Sequence, residues 1–286
     1  MKLSKKYAVF ILSHGRPDKV ITYNTLRDCG YIGDIYIICD DEDKTITQYK
    51  KNYPNKVITF SKSSYEGKFD KMDNFNGNKV IVYARNACYD IARSLKLDYF
   101  FEYEDDYTGF LFRRVDDLIL RGSKIKQMNL ILESMITCLE NTKAYTIAFS
   151  QGGDLIGGVG SLKTNSYKRK AMNTFVFKVN KNMDEDIKFI GRMNDDVNTY
   201  LSEGKLGKLF FQITDISMNQ LKTQSNAGGN TDAYKDFGTY VKSFYSVMIE
   251  PSCCKIGLLG VTETRIHHNI QWKYAVPKIL DEQWRK

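Results

Sequence analysis

Carboxylates gather at one point of this sequence. Tyr99-Phe100-Phe101 runs directly into Glu102-Tyr103-Glu104-Asp105-Asp106, an apolar stretch of strand character that ends in acids. Hard divalent cations such as Mg²⁺ take a few carboxylate oxygens together with ligand phosphates. Asp at a strand end could therefore hold a metal that neutralises a diphosphate leaving group. The same residues could equally form a solvated turn and helix cap. A second pair, Asp195-Asp196, opens a helical pattern within Gly191-Arg192-Met193-Asn194-Asp195-Asp196-Val197. It could cap that helix and complement its dipole, or one carboxylate could face an acceptor hydroxyl as general base. Two of the three histidines, His267 and His268, follow the strand-like segment Val261 to Ile266. Either could complete a metal shell begun by the acids, or both could be a polar pair at a strand end.

The elements that must position these groups follow from hydrophobic period. Strand-length apolar runs alternate with helix-period segments through the first half, the pattern of βαβ units and a mainly parallel sheet. Strands are expected at residues 7–12, 35–39, 56–60 and 99–103, with helices at 17–29, 42–52 and 80–97 between them. Later come a helix at 126–140, strands at 145–149 and 173–179, a helix at 195–203 and a strand at 208–213. The polar stretch 61–78 and the glycine-rich run Gly152, Gly153, Gly157, Gly158 and Gly160 are expected to be loops. The Glu102–Asp106 acids then sit outside the carboxyl end of a central strand, where open α/β sheets bind ligands. No repeat or low-complexity segment interrupts the chain, so residues 1–286 are expected to form a single α/β domain.

Composition narrows the function classes. The 286 residues are 42% hydrophobic and 27% charged, which fits a globular protein. No apolar run approaches the roughly 18–20 residues of a membrane helix, so no membrane partner is expected. Lys2, Lys5 and Lys6 precede an apolar stretch that ends after six residues at Ser13, too short for a secretory leader. The six cysteines form no Cys-x-x-Cys pair and are expected as reduced core thiols in a cytoplasm. The net charge of +8 suits a polyanionic partner such as nucleic acid. No Gly-x-Gly-x-x-Gly opens the first helix and there is no Walker A loop, which excludes the usual dinucleotide and P-loop cradles.

Taken in order, these segments resemble a glycosyltransferase of the GT-A fold, a Rossmann-like, mainly parallel mixed sheet flanked by helices. Ser13-His14-Gly15-Arg16-Pro17 looks like its opening nucleotide-binding loop, and Cys39-Asp40-Asp41-Glu42-Asp43 is similar to the segment that reads base and ribose. Glu104-Asp105-Asp106 stands where that family carries an Asp-x-Asp metal motif. The departure to a contiguous Glu-Asp-Asp leaves Asp105, Asp106 and Glu104 as alternative ligands. Asn194-Asp195-Asp196 looks like the later acidic motif, and His267 or His268 like the C-terminal metal-binding His.

A closer resemblance is to the TET/JBP-associated glycosyltransferases, a mostly phage-borne group implicated in glycosylating hydroxymethylated pyrimidines in DNA. It is carried by Ser13-His14-Gly15-Arg16, Tyr83-Ala84-Arg85-Asn86, Glu104-Asp105-Asp106 and Arg169-Lys170-Ala171-Met172-Asn173-Thr174. The resemblance implies a UDP-sugar donor, Mn²⁺ or Mg²⁺, a DNA acceptor, and a host-cell cytoplasm if the chain is phage-encoded. It also implies that Arg85 and Asn86 line the donor pocket, Arg85 meeting a phosphate or uracil oxygen. Lys168-Arg169-Lys170, beside Ser166 and Tyr167, could grip DNA or the donor diphosphate, or be a solvated face. Two rival readings remain: the same chemistry on a polysaccharide or protein acceptor, and a non-catalytic nucleic-acid-binding module on this fold.

Overall fold

A computed structural model describes residues 5–76, 80–117, 119–155, 159–160, 167–168, 171–221, 238, 240–259 and 264–275. Strand β1 (Tyr7–Leu12) is followed by helix α1 (Ile21–Asp28), β2 (Asp34–Asp40), α2 (Ile46–Asn52), β3 (Val57–Phe60), α3 (Val82–Ser94) and β4 (Tyr99–Glu104). Then come β5 (Tyr107–Asp116), β6 (Ile119–Lys124), α4 (Met128–Asn141), β7 (Ala144–Ser150), β8 (Tyr167–Lys168), β9 (Phe175–Lys178), α5 (Asp195–Gly204) and β10 (Leu209–Gln220). The described chain closes with α6 (Val241–Ile249), β11 (Cys254–Leu259), β12 (Arg265–Ile270) and the short α7 (Trp272–Ala275).

The main sheet has the order β3-β2-β1-β4-β9-β7-β10-β5-β6, with β8 added on β10. Its first half is parallel, β1 pairing with both β2 and β4, and β2 with β3. The second half mixes the parallel pair β7–β10 with antiparallel β4–β9, β5–β10 and β5–β6. The expected α/β class with a mixed sheet flanked by helices is therefore what the chain forms.

Side-chain alternation explains why β1 is apolar throughout. Ala8, Phe10 and Leu12 enter one core with Val82, Tyr83 and Ala87 of α3 and Val197, Tyr200 and Leu201 of α5. Val9 and Ile11 enter the other with Leu26 of α1 and Leu132, Met135 and Ile136 of α4. A strand covered on both faces keeps no polar side. At the end of α1, Gly30 (φ +85) is required by space as well as by backbone: a Cβ there would lie 2.2 Å from the Lys126 carbonyl oxygen.

The helix expected at 42–52 starts at Ile46 and the strand expected at 208–213 runs on to Gln220, and three further expectations change. The first helix starts at Ile21, not residue 17, because Lys19 N–H closes a turn on the Arg16 carbonyl. Residues 107–124, given no element by pattern, form the β5–β6 hairpin, whose Phe110-Leu111-Phe112 run breaks a clean period of two. The third concerns the histidines. His267 and His268 do not follow a strand but lie within β12, opposite Gly257 and Ile256 of β11 in a separate two-stranded sheet. The expected strand residues 261–263 lie outside the described residues, as do Gly157, Gly158, Ser166, Arg169 and Lys170. The six cysteines are free thiols, all but Cys138 buried.

Candidate active site

The acidic turn joins β4 to β5 and its backbone is pinned from α1. The Thr22 hydroxyl donates to the Glu104 carbonyl (2.5 Å) and accepts from Tyr107 N–H (2.9 Å), while Thr22 N–H donates to the Asp105 carbonyl (3.1 Å). From the other side, Leu221 N–H donates to the Asp106 carbonyl at 3.2 Å. Thr22 and Thr25 are buried polar residues on α1 because these carbonyls and that of Tyr107 need donors.

Alternation along β4 sends Glu102 and Glu104 to the α3 side of the sheet. There Arg85 binds Glu102 and Glu104, each at 2.7 Å, and donates through Nε to Asp195 at the start of α5. The guanidinium also lies between the rings of Phe175 (5.4 Å) and Phe189 (5.3 Å). Only 1% of Arg85 is exposed. It is thus a buried organiser of three carboxylates, not a side chain held open for a donor phosphate. Asn86, paired with it in the expected donor pocket, instead clamps the Phe189 backbone, accepting its N–H (2.9 Å) and donating to its carbonyl (3.0 Å). Burial raises the Glu102 carboxyl to about 7 despite the opposing Arg85 charge, and burial likewise raises Glu104 and Asp195.

Asp105 points the other way and is 2% exposed. Arg16 N–H donates to the Tyr49 hydroxyl (2.9 Å), Tyr49 meets Ser13 Oγ (2.6 Å), and Ser13 donates to Asp105 Oδ2 (2.5 Å). Arg16 Nε adds a charge 3.3 Å from the same oxygen. Burial, only partly offset by Arg16, raises Asp105 to about 6; burial and the neighbouring Asp105 raise Asp106 to about 6. Asp106 Oδ1 is buried without a hydrogen-bond partner. A buried carboxylate oxygen left unpaired beside a second carboxylate fits a hard cation, and this donor set suits Mg²⁺ or Mn²⁺. Among the described residues no three His, Cys, Asp or Glu converge as a complete metal cage. The fit is therefore that of a metal held by one or two carboxylates and its ligand's phosphates.

The loop after β1 is fastened to the end of β2. His14 Nδ1 meets Asp40 Oδ2 at 2.7 Å, Gly15 N–H donates to Asp43 Oδ2 at 2.7 Å, and Lys62 Nζ reaches Asp40 Oδ1 at 2.9 Å. Gly15 takes φ +70, and the turn aims its amide at Asp43. Burial would raise Asp40, but the bonds from His14 and Lys62 outweigh it and lower the group to about 2. Asp40 is thus buried and committed, whereas Asp41 is exposed and accepts Lys62 N–H at 3.0 Å. Lys62, Tyr49 and Thr22 have no sequence signal of their own; only sheet order brings them here.

At the other flank Asn194, in the left-handed region (φ 62), precedes α5. Asp195 is buried against Arg85, while Asp196 is half-buried and accepts Val197 N–H at 2.8 Å. His268 Nδ1 lies 3.5 Å from Asn194 Nδ2 and its ring stacks on His267 at 4.3 Å. Burial, then the His267 and Lys242 charges, lower His268 to about 4. Both histidines line a cavity of about 480 Å³ with Met172, Asn194, Val197 and Trp272.

The model of the family described as TET-Associated Glycosyltransferase matches residues 7–229. No curated protein matches the chain. Among solved structures the chain is similar to the mannosyltransferase PcManGT from Pyrobaculum calidifontis in complex with GDP-Man and Mn²⁺. Identity there is 8% and the TM-score 0.48, with 78% of this chain and 59% of that one covered. It is also similar to glucosyl-3-phosphoglycerate synthase from Mycobacterium tuberculosis in complex with Mn²⁺, UDP-glucose and phosphoglyceric acid. That pair has 7% identity, a TM-score of 0.47 and coverage of 96% and 89%. These structural likenesses are weak, so the assignment rests on the family match. The histidine pair lies beyond the matched span, whereas the Ser13–Arg16 loop, the Asp105–Asp106 turn and Asp195-Asp196 all lie within it. Because that span covers most of the sequence and all three of those segments, the chain belongs to the TET-Associated Glycosyltransferase family.

Proposed function

We propose that residues 1–286 act as one catalytic unit that moves a sugar from a UDP-sugar to the hydroxyl of a 5-hydroxymethylpyrimidine in DNA, with Mn²⁺ or Mg²⁺. The observation that carries this reading is the partnerless Asp106 Oδ1 beside Asp105, in a rigid turn at the carboxyl end of the central strand. The family's name supports glycosyl transfer, and a net charge of +8 favours a polyanionic acceptor.

In this reading Asp105 and Asp106 hold the cation, and His267 or His268 would join as a further ligand only by moving from its place in this structure, where no three such groups converge among the described residues. The cation, when bound, neutralises charge on the departing diphosphate. Ser13 and Arg16 fix the Asp105 carboxylate, and Arg16, partly exposed beside it, faces the diphosphate. His14, Gly15, Asp40 and Asp41 border the nucleotide. Asp196 orients or deprotonates the acceptor hydroxyl, and Asp195, tied to Arg85, sets where Asp196 stands. A duplexed pyrimidine would be flipped out of the stack to reach these groups.

The test is mass spectrometry of nucleosides from hydroxymethylated DNA incubated with the protein, Mn²⁺ and a panel of nucleotide sugars. A hexose-sized mass gain on the hydroxymethylpyrimidine is the expected result. Hydrolysis of the donor with no gain on any hydroxymethylated DNA would remove the DNA acceptor and leave the polysaccharide or protein alternative.

A further inference from the structure

Three amide side chains stand on the flank of the acidic turn opposite His14 and Lys62. Gln151 follows β7, Asn173 precedes β9 and Gln220 ends β10. In the sheet order these strands lie on one side of β4, whereas β1, β2 and β3 lie on the other. Register puts the three at the same edge as the carboxylates. Glu102 pairs with Phe175, which sets Asn173 level with Glu104, and Gln220 pairs with Tyr107, the residue after Asp106.

The amides are joined in a row. Gln151 Nε2 donates to Asn173 Oδ1, and Asn173 Nδ2 donates to Gln220 Oε1 at 3.2 Å. The Gln151 carbonyl oxygen and the Gln220 amide nitrogen remain as the two ends of the row among the described residues. The backbone is bent to make it: Asn173 and Thr174 take φ 29 and 53 in succession. A β-branched residue at positive φ is an outlier that neighbouring structure must enforce. Here the buried Thr174 hydroxyl accepts Phe149 N–H at 3.0 Å, and the Asn173 amide is thereby held between its two neighbours.

The row carries no charge, so it is unsuited to a phosphate, and the cationic residues Arg16 and Lys62, with His14, lie across the turn from it. Gln151 spends one N–H in the row and keeps its carbonyl oxygen and second N–H on the same amide, the donor and acceptor pair by which a single Asn or Gln amide meets a base edge, and Gln220 keeps its NH2 as a further donor. We propose that this Gln151–Asn173–Gln220 row binds the hydrogen-bonding edge of the acceptor base, and so sets which hydroxymethylpyrimidine is glycosylated. The proposal rests on the DNA reading above.

Gln220 is exposed, so Gln220→Ala leaves the core untouched; Gln151→Ala is the second variant. Three quantities are measured: KM for single-stranded oligonucleotides carrying 5-hydroxymethylcytosine or 5-hydroxymethyluracil, kcat, and UDP-sugar affinity by calorimetry with Mn²⁺. Each variant is expected to raise the acceptor KM roughly tenfold and to change the cytosine-to-uracil preference severalfold, as loss of a base-directed hydrogen bond does. The UDP-sugar affinity should hold. Weakened donor affinity with an unchanged acceptor KM would assign the row to the sugar and overturn the proposal; so would an active enzyme with both KM values and the preference unchanged. A wild-type protein that hydrolyses the donor but modifies neither oligonucleotide would overturn the DNA reading itself, and this inference with it.

Discussion

Glu102, Glu104 and Asp195 converge on one guanidinium, whereas of the two acids that follow Glu104 in the chain Asp105 meets the edge of Arg16 and the Ser13 hydroxyl, and Asp106 Oδ1 is buried without a donor. The first group shares one cation. Its charges gather on Arg85 beside the rings of Phe175 and Phe189, with Glu104 half-buried and Glu102 Oε2 buried without a donor. The second group is pinned through its backbone but has no cation bridging its two carboxylates, and Asp106 Oδ1, like Glu102 Oε2, is buried without a donor. Acids adjacent in sequence thus divide into a set that builds the site and a set that can act in it.

The largest effect that could break this division is on stability. Replacing Arg85 by Met would leave three buried carboxylates without their cation and should cost about 3–5 kcal/mol, read by denaturant unfolding. A variant as stable as the wild type would show that the first group is not held by Arg85. For the second group the opposite pattern is expected. Asp106→Asn should lower metal-dependent donor hydrolysis by about 10²-fold, judged from the usual loss of one electrostatic stabiliser, while unfolding stays at or above the wild-type midpoint. Full activity in Asp106→Asn would remove it from the metal site.

A pH series sharpens the contrast more gently. Glu102 holds its proton more tightly in the fold than in the unfolded chain, its pKa being raised by burial from 4.5 to about 7. Its contribution to stability is therefore full below about pH 4.5 and is lost as pH rises to about 7. The Glu102→Gln variant should lack that slope, which thermal unfolding across the window would measure; an unchanged slope would place the titration elsewhere. The smallest effect concerns the histidines. His268, held near 4, is neutral at pH 7 and keeps a lone pair for a metal. His268→Ala should weaken Mn²⁺ binding by about tenfold in calorimetry. Unaltered affinity would return the pair to the β11–β12 sheet as structure only.

Much of the first half was legible from pattern. The strand expected at 7–12 is observed with those bounds, that at 99–103 is one residue longer at its end and that at 35–39 one residue longer at each end, because strands buried on both faces need unbroken apolar runs. The acidic cluster at the end of β4 and the helix start at Asp195 were equally visible. The β5–β6 hairpin was not, since its strands are largely exposed and their alternation is irregular. Nor could the roles of Arg85 and Asn86 be read, because an Arg on the buried face of α3 is defined by Glu102, Glu104 and Asp195, the last of them 110 residues away.

The sequence by itself determined that this chain alternates strands and helices, that its acids end a central strand, and that its carboxylates outnumber the arginines beside them. Those properties depend on neighbours in the chain, through backbone preference and side-chain period. Only the tertiary structure decided which carboxylates are neutralised and which are left for a ligand. That depends on which strands lie side by side: β1 brings Ser13 and Arg16 to Asp105, α5 brings Asp195 to Arg85, and β7, β9 and β10 bring three amides into one row.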